Sequence, residues 1–126
     1  MMKALTSAIA VLTLGSSVAL AECEQPEAPQ LPDGANATME QMLDGQKAVK
    51  VFQEANVEYM KCLETAFNAA AETVKNGADE AEEVIAEARE SYEEAVEAYN
   101  AAVSAEESVA GQFNTEVREY KAANPG

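Results

Sequence analysis

The chain has 126 residues, room for one domain. Lys and Arg total 8 against 23 Asp and Glu, a formal charge of -15, and there is no His, no Trp and only two Cys. Without His there is no Ser-His or Cys-His nucleophile, no imidazole proton shuttle and no His-ligated metal. The acidity also repels phosphate backbones, which argues against nucleic-acid binding. The apolar fraction of 48% overstates the core, because 26 of those residues are Ala.

Residues 1–21 read as a secretory signal peptide. Lys3 supplies the positive start, and Ala4 to Leu14 is an apolar stretch too short for a membrane span. Gly15, Ser16 and Ser17 break it, and Ala19-Leu20-Ala21 is an A-x-A cleavage site. Glu22, rather than a small residue, precedes Cys23, which argues against lipidation. Cleavage leaves 105 residues and, with Lys3 lost, a charge of -16. No later run approaches membrane length, so the expected location is the periplasm or outside the cell.

An even cysteine count in an oxidising compartment predicts a disulfide, here Cys23–Cys62. Its loop of about 40 residues corresponds to roughly 3–4 kcal/mol in the chain-entropy model. The spacing fits neither a CxxC redox motif nor a zinc site.

Residues 22–37 form a proline-rich arm. Pro26, Pro29 and Pro32 recur with the three-residue period of polyproline II, and Asp33-Gly34 signals a turn. A PxxP recognition ligand is the alternative reading, and the tether at Cys23 disfavours it. Thr38 is an N-cap with Gln41 completing a capping box, so the first helix covers about 39–76. Cys62 lies about 36 Å along that helix, and an extended arm reaches about 46 Å. The arm therefore has the length to run back along the helix and be pinned at Cys62.

From Thr38 to Ala123 there is no proline, and Ala, Glu, Lys and Gln favour helix. Asn76-Gly77 is the expected break, with Gly77 in a left-handed C-cap. Asp79 is the expected cap of a second helix over about 80–122. Apolar residues repeat with 3-4 spacing on both sides of the break. The first seam is Met42, Gly45, Val49, Phe52, Asn56, Tyr59, Leu63, Ala66, Ala70 and Thr73. The second is built on Ala81, Ile85, Ala88, Tyr92, Ala95, Tyr99, Ala102, Glu106, Val109, Phe113, Glu116 and Tyr120. Its phase differs by one residue from the first, as a hairpin tolerates and a continuous helix does not.

Pairing residues about Gly77-Ala78 sets large against small: Phe52 with Ala102, Tyr59 with Ala95, Gly45 with Val109, and Met42 with Phe113. The same pairing puts Asn56 within reach of the Tyr99 hydroxyl and Glu106 near Lys50. A buried Asn is a register device. The expected fold is thus all-α, an antiparallel two-helix hairpin with an extended N-terminal arm.

Met60, Phe67 and Val74 flank the first seam at seven-residue spacing, and Val96, Val103, Ala110 and Val117 flank the second. A seam with a flanking column is a bundle face that a second copy or another helical protein would cover; the alternative is partial exposure of small Val and Ala, which monomers tolerate. Opposite the second seam, Glu80, Glu83, Glu87, Glu90, Glu94 and Glu97 form a carboxylate stripe. It reads first as a solvated face, and second as a weak site for divalent cations or cationic clients. No calcium-hand loop, catalytic set, metal-ligand set or cofactor motif is present.

The stretches Pro29 to Thr38, Met39 to Met42, Ala48 to Phe52 and Tyr59 to Leu63 resemble small secreted proteins of Gram-negative bacteria. That resemblance implies export and the pairing of a Cys before the prolines with a Cys on the first helix. It carries no activity. The residues therefore predict a non-enzymatic exported structural or interaction module, with a holdase for cationic clients or ions as the alternative.

Overall fold

The computed structural model describes residues 23–126. The signal peptide expected at 1–21 lies outside them. The described residues form two helices that pack on one another, α1 over Met39–Lys75 and α2 over Glu82–Ala123, joined by a 3-10 turn at Gly77–Asp79. At 37 and 42 residues they extend about 55 and 63 Å at 1.5 Å per residue. None is long and apolar enough to cross a membrane.

The start of α1 follows the capping chemistry. Thr38 Oγ1 accepts from the Gln41 N–H, and the Thr38 N–H donates to Gln41 Oε1 at 2.8 Å. At its other end the structure corrects two expectations. Asn76 is the C-cap, with φ -97°, and its N–H donates to the Glu72 carbonyl. Gly77 is not left-handed, since Gly126 is the only described residue with positive φ. A Cβ at Gly77 would overlap Ile85 Cδ1, so a larger residue there would require the end of the Ile85 side chain to move.

Asp79 does not cap α2. The 3-10 turn consumes it, and Ala81, without a side-chain cap bond, takes the cap position. Glu82 and Glu83 still place negative charge at the exposed first-turn N–H groups.

The seam on α1 is the core. Met42, Gly45, Val49, Phe52, Asn56, Leu63 and Ala70 are buried, and α2 answers with Ala95, Ala102 and Val109. Leu63 and Ala95 are wholly buried. Small residues on α2 let the helices approach while α1 supplies the bulk.

The register differs from the expected one by about a turn. Gly45 faces Phe113 rather than Val109. Val49 and Phe52 cluster with Val109, with Ala105 and Phe113 packed alongside. Asn56 Nδ2 donates to the Ala102 carbonyl at 3.0 Å, not to the Tyr99 hydroxyl. Tyr99 instead packs edge-on against Phe67. The 3-10 turn lengthens the connection, and the cross-helix partners of Gly45 and Asn56 lie three or four residues from the expected ones. A shift of one turn keeps the seam on the seam, which is why the periodicity survived and the individual pairs did not. The expected pairing of Glu106 with Lys50 is also absent, since the one ion pair among the described residues is Lys61–Glu58.

Candidate functional site: a strap on one flank, a bare flank opposite

Residues 23–37 form a strap along one flank of the hairpin. Cys23 and Cys62 are joined as a disulfide with Cα atoms 5.6 Å apart. From there Pro26 and Pro29 run beside Ala48, Phe52 and Ala55 of α1. Leu31 packs on the Val49–Phe52–Val109 cluster. Pro32 lies so close to α1 that a Cβ at Gly45 would come within 2.7 Å of its Cδ. Gly34 is buried against α2, where a Cβ would overlap the Glu116 carbonyl. Its turn is held locally by Asp33, whose carbonyl accepts from the Asn36 N–H and whose carboxylate accepts from Asn36 Nδ2.

The strap follows the column Ala48, Ala55 and Cys62, each seven residues from the next. On a helix this column lies on one side of the seam, and Met60, Phe67 and Val74 lie on the other. The structure pairs that second column with α2: Phe67 contacts Tyr92 and Tyr99 edge-on at centroid distances of 6.0 and 5.9 Å. Val74 shares a groove with Ala71, Lys75, Arg89, Tyr92 and Glu93. Val96, Val103, Ala110 and Val117 continue this flank along α2. Tyr92 remains 41% exposed and Val103 36%.

Of the predicted site residues, the disulfide pair is joined. Phe52, Asn56, Ala95 and Ala102 are buried, and Tyr59 and Tyr99 are half-buried. Glu80, Glu83, Glu87, Glu90 and Glu97 of the stripe are exposed and Glu94 is half-buried.

The stripe is not where the structure gathers carboxylates. Asp33 of the strap and Glu116 and Glu119 of α2 bring carboxylate oxygens within 4.8 Å of one another. The Glu119 carboxyl is raised above its ordinary value, chiefly by the charge of Glu116, then by a hydrogen bond to Glu116, slight burial and the charge of Asp33. One Glu116 oxygen is enclosed without a hydrogen-bond partner. The sequence carried half of this signal: Glu116 and Glu119 are i,i+3 neighbours, but Asp33 reads only as a turn residue until the strap docks.

No protein-family model, curated protein or solved structure matches the chain.

Proposed function

We propose that the protein is a non-enzymatic, exported structural or protein–protein interaction module, acting in the periplasm or outside the cell through its strap-free flank. The observation that carries this reading is the contrast between the flanks. The chain uses its own proline-rich segment to cover one, while the other keeps Tyr92 and Val103 partly in solvent beside half-buried Met60, Phe67, Val74 and Val96. Apolar side chains that line up along a helix pair are the ordinary means of packing another helix. The disulfide fits an oxidising compartment.

Site-specific photo-crosslinking in the native host tests the reading. A photoreactive residue at Val103 should give a discrete adduct, and one at Lys50, exposed on α1, should not. Equal adducts from both positions, or none from Val103, would contradict it.

A further inference from the structure

We propose that a second copy of this chain docks on the strap-free flank at the hairpin tip, in an antiparallel two-fold arrangement that sets Arg89 of each copy against Glu93 of the other. This deepens the function proposed above and rests on it.

The groove there has an apolar floor of Ala71, Val74 and Tyr92 and a charged rim of Lys75, Arg89 and Glu93. Tyr92 makes a T-shaped contact with Phe67 and remains 41% exposed. The rim is unusual for this molecule. Lys75 and Arg89 are two of only 8 basic residues in a chain with 23 acidic ones. Among the described residues, no ion pair uses Lys75, Arg89 or Glu93.

Two-fold association requires a self-complementary patch, because each surface meets its own copy. Most of α2 cannot meet that condition. Its outer stripe from Glu80 to Glu97 is of one sign and would face itself with repulsion. The rim of the groove does meet it. Arg89 and Glu93 lie one helical turn apart, and a two-fold axis passing α2 near Ser91 reverses the helix and exchanges them. Each copy then offers Arg89 to the other's Glu93, twice per dimer, with the two Tyr92 rings and the small Ala71 side chains between the pairs.

Other occupants fit the rim less well. A basic partner meets Lys75 and Arg89, and a purely acidic one meets Glu93. The strap cannot reach the groove, because the disulfide holds it on the opposite flank.

Sedimentation of the purified protein over a wide concentration range, at low and moderate salt, tests the arrangement. The wild type should dimerise. Arg89→Glu and Glu93→Arg should each raise the dissociation constant about tenfold or more, since each reversal turns two attractions into two repulsions. The double variant Arg89→Glu/Glu93→Arg should return to within about threefold of wild type, because the swap restores both pairs. Both side chains are exposed, and circular dichroism should show unchanged helix.

A wild type that stays monomeric throughout overturns the proposal, as do single reversals without effect or a double variant as weak as the singles. The two readings fail separately. A monomer that still gives a discrete Val103 adduct with another protein ends the second-copy arrangement and leaves the interaction module standing.

Discussion

At the open end of the hairpin three segments meet, the strap, α1 and α2; at the tip the two helices pack alone. The open end buries Met42, Val49, Phe52, Asn56, Ala102 and Val109 together with Cys23 and Gly34. Beyond Leu63 toward the tip only Ala70 and Ala95 are buried among the described residues. Both ends use the same seam spacing, but they differ in two ways. Past Leu63 the α1 seam shrinks to Ala66, Ala70 and Thr73, where the open end has Met42, Val49 and Phe52. The open end also carries a third layer: a two-helix pair shields a narrow stripe, and a segment laid on its flank widens that stripe into a core. Small chains commonly need a covalent staple to hold such a layer, and here Cys23–Cys62 supplies it.

The comparison breaks most readily at the staple. Replacing Cys23 and Cys62 with Ala should cost about 4 kcal/mol in denaturant unfolding, by the loop entropy of a 39-residue separation. Leu63→Ala, at the boundary between the ends, should cost about 3 kcal/mol, because a wholly buried side chain leaves a cavity.

Two glycines in regular helix then sharpen the contrast with opposite signs. Gly45→Ala should destabilise by about 1–2 kcal/mol, since its Cβ would press into Pro32 of the strap. Gly111→Ala, with nothing within 4 Å of its Cβ, should stabilise by up to about 1 kcal/mol through helix propensity alone. Thermal melts of the two variants side by side check both signs.

The smallest effect concerns pH. A carboxyl raised in the folded state lends stability that is full below its ordinary value of 4.5 and is lost as pH rises through the raised value. Glu119→Gln should therefore melt slightly higher than wild type at neutral pH, and the gap should close on acidification through that window. A gap that widens instead would contradict the repulsion among Asp33, Glu116 and Glu119.

Much of the fold was legible in the residues. Thr38 and Gln41 announce the start of α1, the 3-4 spacing marks the seam, and two cysteines behind an expected signal peptide announce their bond. The register was less legible. It depends on how many residues the connection consumes, and a 3-10 turn at Gly77–Asp79 has no signature distinct from a helix cap. Asn56 shows the consequence. Its burial followed from its seam position, but its partner became the Ala102 carbonyl once the register moved by a turn. The carboxylate cluster was illegible for a related reason: Asp33 and Glu116 are 83 positions apart and meet only because Gly34 lets the strap touch α2. The glycine at 45 told the same story in advance only in part, as a small residue opposite a large one, without revealing that a proline of the strap fills the space.

Residue-resolved amide hydrogen exchange, on the oxidised and the reduced protein, tests most directly whether the strap sets the difference between the two ends. With the disulfide intact, amides of residues 49–63 should exchange far more slowly than those of residues 70–88, because opening them requires the three-segment core to come apart. After reduction by a dithiol the two sets should converge, chiefly through faster exchange at the open end. Equal protection of the two ends in the oxidised protein, or a difference that survives reduction unchanged, would contradict the account.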